Sequence, residues 1–175
     1  MYPKMVIICL HEDSKILLVC GGYKQYYPLL SEKGRDVFMK YDLINLKTVM
    51  NKNPDLGGLT FCEGENDIPF QIRRIYYIYQ TKKNEHRGFH AHKTNWQLLC
   101  CPYGSIDIIL TDGTEVETIR LDDPSKGLVL HPGLWREMIW QKDESVLFVA
   151  ASEYYDPEEY IRDYKEYLKY IGKEK

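Results

Sequence analysis

The segment Glu85-His86-Arg87-Gly88-Phe89-His90-Ala91-His92-Lys93 packs three imidazoles, a guanidinium and an ammonium into nine residues. On an extended chain His90 and His92, two apart, share one face. Directed into a barrel mouth, such a pair ligates a metal or moves protons. Left on the surface, the same string is a solvated basic loop.

The elements around it are short. Strand-like stretches at 42–46, 58–63, 72–80, 96–101, 105–110, 116–121, 127–130, 137–141 and 146–151 suit a sandwich or barrel, and Asp112-Gly113, Asp123-Pro124 and Pro132-Gly133 separate some of them with tight-turn chemistry. Before these, runs at 5–10 and 16–20 suggest a hairpin, and 23–38 reads as a loop-rich connection. One helix is predicted at the end, with Asp156 as its cap, Pro157 at its first position, and Glu158 and Glu159 in its first turn. Its apolar stripe would be Tyr160, Ile161, Tyr164, Tyr167, Leu168 and Ile171. The expected class is all-β with one C-terminal helix.

Composition narrows the function. The chain has 175 residues, enough for one domain with a sizeable core. Its 23 Lys and Arg against 26 Asp and Glu give no basic field to draw it to nucleic acid or an anionic membrane. No run reaches the length of a membrane span. Cys9, Cys20, Cys62, Cys100 and Cys101 are odd in number and form no C-x-x-C pair, so they read as reduced thiols of a cytoplasmic protein.

The order strand, Gly-x-His-x-His, strand, Gly-rich turn resembles the first motif of a cupin. Metal-binding cupins add a glutamate soon after the two histidines and a further histidine after a Pro-Gly turn. Here Asn95, Trp96 and Gln97 stand in the first place, and Arg136 is near the second. An arginine repels a divalent cation, so no metal is expected, although Glu137 or His131 could in principle substitute as a ligand. Four longer strings resemble one branch of the cupins. They are Ile68-Pro69-Phe70-Gln71-Ile72-Arg73-Arg74-Ile75-Tyr76-Tyr77-Ile78, Arg87-Gly88-Phe89-His90-Ala91-His92-Lys93, Trp135-Arg136-Glu137-Met138, and Ala151-Ser152-Glu153-Tyr154-Tyr155-Asp156 with Tyr160-Ile161-Arg162. That branch is the WxcM-like sugar 3,4-ketoisomerases.

The resemblance covers residues 39–175 and implies an RmlC-like double-sheet jelly-roll barrel. Residues 1–38 fall outside it, either as a real extension or as sequence upstream of a true start at Met39. The implied reaction moves a ketone from C4 to C3 of a dTDP-linked 4-keto-6-deoxyhexose through an enediol, giving a gluco or galacto product, with no cofactor. The product would feed an aminotransferase that makes a 3-amino-3,6-dideoxyhexose for surface glycans. An imidazole with a pKa near neutrality can take and return the C3 proton. The resemblance gives that role to His90, hydroxyl proton exchange to Tyr76, and a supporting role to His92.

The substrate diphosphate calls for local cations, for which Arg74, Arg87 and Lys93 are candidates. Trp135, Arg136 and Ser152 would border the substrate. A strand-exchanged homodimer is implied, with Arg162, on the last helix, reaching the neighbour's nucleotide. A cupin epimerase of nucleotide sugars and a non-catalytic nucleotide-sugar-binding cupin are the competing readings.

Overall fold

The computed structural model describes residues 41–173 in full, and before them the backbone of three strands, β1 (Val6–Leu10), β2 (Lys15–Cys20) and β3 (Tyr23–Pro28). The chain divides into two compact units, Met1–Phe38 and Met39–Lys175. In the first, β2 pairs antiparallel with β1 and β3. The loop expected from residue 23 is thus a strand as far as Pro28. Its sequence has no period of its own, and pairing with β2 decides it.

The second unit is built from two antiparallel five-stranded sheets. Its strands are β4 (Tyr41–Asn45), β5 (Lys47–Met50), β6 (Gly58–Phe61), β7 (Arg74–Ile78), β8 (His86–His92) and β9 (Gln97–Tyr103). They continue as β10 (Ile106–Thr111), β11 (Val116–Leu121), β12 (Lys126–Leu130), β13 (Trp135–Trp140), β14 (Val146–Ala151) and β15 (Tyr160–Ile161). One sheet runs β11-β10-β13-β8-β15, the other β4-β12-β9-β14-β7, and β5 with β6 forms a separate ladder. Period-two alternation sends Leu99, Ile106, Ile108, Leu110, Leu128, Leu130, Met138, Trp140, Leu147 and Val149 into one core. Each fully buried side chain of this kind stabilises the fold by about 1.5–3 kcal/mol. Tyr41 of β4 donates its hydroxyl to Glu117 of β11, linking the edge strands of the two sheets.

The C-terminal segment departs from the single predicted helix. Asp156 does cap a turn, accepting from Glu158 N, but Pro157–Glu159 is one turn of 3-10 helix. The chain then extends into β15, and α1 (Tyr164–Tyr170) starts only where Asp163 caps it. The reason is tertiary. Tyr160 and Ile161 find the open edge of β8, where they pair with His92 and Ala91, and this outweighs continuation of a helix. Tyr167 of α1, fully buried, donates its hydroxyl to the carbonyls of Thr111 and Gly133 and so anchors the helix.

Candidate functional site

Beside the apolar core the fold also buries the polar side chains of His90, His92, Gln97 and Arg136, drawn from both sheets. A bulge on β8 sets up the histidines. Arg136 lies opposite His90 and Glu137 opposite Gly88, which leaves Phe89 as the extra residue. Gly88 and Phe89 both have positive φ, and a Cβ on Gly88 would come within 2.8 Å of the Arg136 carbonyl oxygen. Only glycine fits there. The bulge also aims the Gly88 carbonyl at the His90 ring, 2.9 Å from Nδ1. That oxygen can only accept, so the proton sits on Nδ1 and Nε2 presents a bare lone pair. His90 Nε2 is buried and has no partner within the fold.

Register supplies the neighbours. His92 follows His90 on the same face, with ring centroids 5.2 Å apart. On one side of β8 is Arg136, fully buried. On the other is Tyr160, whose ring lies 5.0 Å from His90 and 4.4 Å from His92. From the facing sheet, β7 contributes Arg74 and Tyr76 and β9 contributes Gln97. Gln97 Nε2 donates to Tyr76 Oη at 3.3 Å, Arg136 is close enough to interact electrostatically with Tyr76, and the Arg74 guanidinium stands over the Tyr76 ring at 5.5 Å. Arg74 Nε, Arg136 Nη2 and Gln97 Oε1 are buried without partners, as is His90 Nε2. Such atoms cost free energy unless something bound to the protein satisfies them.

Burial pushes the His90 pKa down to about 3, with the charge of Arg136 adding to it. His92 is lowered further, first by burial and then by Arg136. Both shifts favour the neutral imidazole at physiological pH, away from a group titrating near neutrality. The consequence for stability follows by linkage. Below about pH 6.5 the unfolded chain protonates these histidines and the folded chain does not, so stability is full above that pH and falls with acidification. Each histidine should cost about 1.4 kcal/mol per pH unit over this range. Urea midpoints at pH 7 and pH 5 test this. Equal midpoints, or an unchanged difference in His92→Asn, would count against neutral burial.

The remaining candidates separate. Arg162 is not on the helix; it follows β15 and stacks on Tyr160 at 4.4 Å, close enough to its own chain's His90 and His92 to depress them. Trp135 faces away from the barrel interior, because neighbours on a strand alternate and Arg136 points in. Its indole packs on Tyr164 and Tyr167 and donates to Glu137, so it does not border a sugar in the barrel. The Ser152 hydroxyl is occupied, accepting from Trp96 N at 2.9 Å and donating to Asn95 Oδ1 at 3.4 Å, and so serves the loop rather than a ligand. Lys93 is exposed and donates to the Glu158 carbonyl at 2.6 Å. It borders an open pocket of about 380 Å³ with Tyr160, Ile161, Glu166 and Tyr170. Arg87 is exposed, opposite Met138 on β13. Sequence reasoning missed Tyr160 and Gln97 as site residues. One was assigned to a helix stripe, and the other was noted only for not being glutamate.

Among the described residues, no group of three or more His, Cys, Asp or Glu side chains is arranged to hold a metal. A guanidinium beside His90 makes the spot hostile to a divalent cation. Arg74, Arg136 and Arg162 instead make it a place for an anion.

Residues 39–172 match the family described as FdtA, WxcM-like, C-terminal. A TDP-4-oxo-6-deoxy-alpha-D-glucose-3,4-oxoisomerase of Aneurinibacillus thermoaerophilus is 44% identical over 135 residues, which is 77% of this chain and 95% of that protein. Among solved structures, the sugar 3,4-ketoisomerase QdtA of Thermoanaerobacterium thermosaccharolyticum, in complex with TDP, aligns with a TM-score of 0.72 at 44% identity, covering 76% of this chain and 95% of QdtA. A histidine-to-asparagine variant of QdtA has also been solved with TDP-4-keto-6-deoxyglucose. A 3,4-ketoisomerase of Helicobacter canadensis aligns with a TM-score of 0.73 at 40% identity, covering 77% and 99% of the two chains.

Proposed function

Because the chain belongs to the FdtA, WxcM-like family, we propose that its barrel mouth binds TDP-4-keto-6-deoxyglucose and moves the ketone from C4 to C3, with His90 as the base. The protein is a cupin and a sugar 3,4-ketoisomerase. The observation that supports the site assignment is the convergence of unpartnered buried atoms, a bare imidazole nitrogen among guanidinium and amide groups, around one phenol.

The proposed chemistry balances within the substrate. His90 Nε2 takes the C3 proton while the Tyr76 hydroxyl gives its proton to the C4 oxygen, which forms the enediol. Tyr76 then recovers a proton from the C3 hydroxyl, and His90 returns its proton to C4. Arg136 steadies the negative charge that develops on the oxygens. Arg74 and Arg162 draw the diphosphate to the mouth, and the exposed Arg87 and Lys93 extend that field. The carbon skeleton changes only by proton shifts, so no redox cofactor takes part and turnover is expected to survive chelation.

The test is incubation of the protein with TDP-4-keto-6-deoxyglucose in deuterated water, followed by NMR. The expected result is a 3-keto product. Epimerisation without ketone movement, or no reaction at all, would overturn the reading. The product's reduced C4 can be gluco or galacto in configuration, and its C3 ketone suits a transaminase that makes a 3-amino-3,6-dideoxyhexose for surface glycans. A cytoplasmic location is part of the proposal, since nucleotide sugars are made there.

A homodimer is part of this reading. The β5–β6 ladder exposes Val49, Met50, Leu59 and Phe61, and edge strand β7 exposes Ile75 and Tyr77. Apolar rows of this kind on open strands suit exchange with a second copy. Sedimentation should give the mass of two chains, and Met50→Glu with Leu59→Lys should shift it to one. A wild-type monomer would refute the pairing. The domain assignment that goes with it makes residues 39–175 the catalytic unit and 1–38 an extension.

A further inference from the structure

Two polar groups outside the reaction scheme above, buried Gln97 and half-buried Glu159, are built around His92. The 3-10 turn Pro157–Glu159, capped by Asp156, delivers the Glu159 carboxylate to the loop after β8. There Oε1 accepts from Thr94 N at 2.9 Å and from Thr94 Oγ1 at 2.7 Å, and Oε2 accepts from Asn95 N at 3.1 Å. The same Oε2 stands 3.6 Å from His92 Nδ1. A carboxylate there favours a proton on Nδ1, which leaves Nε2 as an acceptor. Gln97 Nε2 lies 3.3 Å from His92 Nε2 and 3.3 Å from Tyr76 Oη. An amide that faces a bare nitrogen must present its NH2 group, and its two hydrogens then reach His92 and Tyr76 together.

We propose that Gln97 and Glu159 are positioning residues for Tyr76: Gln97 hydrogen-bonds both His92 Nε2 and Tyr76 Oη, and the Glu159 carboxylate, at 3.6 Å from His92 Nδ1, acts on that pair electrostatically by favouring the proton on Nδ1. This arrangement pins the Tyr76 oxygen as an acceptor from Gln97 and frees its own hydrogen for the substrate. It also gives the two histidines different work. His92 Nε2 is occupied by the amide, whereas His90 Nε2 is not. A core filler would serve as well with leucine at 97, since Gln97 is 1% exposed and its neighbours Leu98 and Leu99 are apolar. The amide has meaning only through the two groups it joins.

The inference rests on the ketoisomerase reading, and turnover by the wild-type protein tests that reading separately. The decisive experiment is a double-mutant cycle between Gln97→Leu and Tyr76→Phe. Gln97→Leu should lower kcat by about ten- to a hundredfold with KM for the TDP-sugar little changed, because misplacing a reacting group costs about that much. Added to Tyr76→Phe, it should cost no more than about threefold, since the group it positions is already gone. Losses that multiply, or a Gln97→Leu protein with wild-type kcat, overturn the proposal.

If Gln97→Leu does not fold, Glu159→Gln carries the same cycle, because its remaining carbonyl oxygen still accepts from Thr94. One readout needs no turnover. In 15N spectra of the wild-type protein His92 should carry its proton on Nδ1, and a proton found on Nε2 would overturn the arrangement.

Discussion

Replacing His90 with asparagine is expected to lower kcat by about a hundredfold to ten-thousandfold, the usual contribution of a positioned base, while affinity for TDP stays near that of the wild type. The split follows from the site. His90 Nε2 is a buried lone pair with its tautomer set by the Gly88 carbonyl, whereas the diphosphate contacts proposed above are arginines of other elements. Asparagine keeps a donor for that carbonyl and removes the base. His92→Asn should be milder, because its Nε2 already accepts from Gln97. Activity retained in His90→Asn and lost in His92→Asn would move the base to the second histidine.

The pH dependence adds a sign. Burial first and the Arg136 charge next hold His90 to about 3, so in the free enzyme the base is already unprotonated at neutral pH. kcat/KM should therefore show no acidic limb near 6.5 and stay level until well below it. A bound diphosphate offsets part of the nearby positive charge, so the limb in kcat should sit higher than that in kcat/KM. A limb at 6.5 in kcat/KM that persists in His90→Asn would assign it to another group, and one that vanishes there would mean that His90 titrates near its usual value.

Tyr76→Phe should lower kcat by about a hundredfold or more, with KM little changed and the fold intact. The phenol oxygen receives a hydrogen bond from Gln97, and phenylalanine removes it while keeping the ring under Arg74. Without it no group hands a proton to one substrate oxygen and takes it from the other. The Gln97 donor loses an acceptor, so thermal melting must be measured beside activity. If kcat fell only twofold with melting unchanged, another acid would have to be found.

Local pattern carried a good deal of this protein. Period-two alternation and turn residues predicted most strands of the second unit, and the two-residue spacing put His90 and His92 on one face, where the fold has them side by side. Asp156 and Pro157 marked a helical turn that does form. These readings succeed because strand periodicity and capping are properties of neighbouring residues.

What only the tertiary structure decided depends on residues distant in sequence. Alternation says that Trp135 and Arg136 face opposite ways, but the register of β13 against β8 chooses which one enters the barrel, and it chose the arginine. Tyr160 and Ile161 fit a helix stripe by spacing. A two-residue strand has no period to read, and the open edge of β8 made them one. That pairing lays Tyr160 against both histidines and brings Arg162 over Tyr160 within its own chain. The depression of His90 likewise comes from burial by both sheets and from a guanidinium on a neighbouring strand, neither of which is written in the residues beside it.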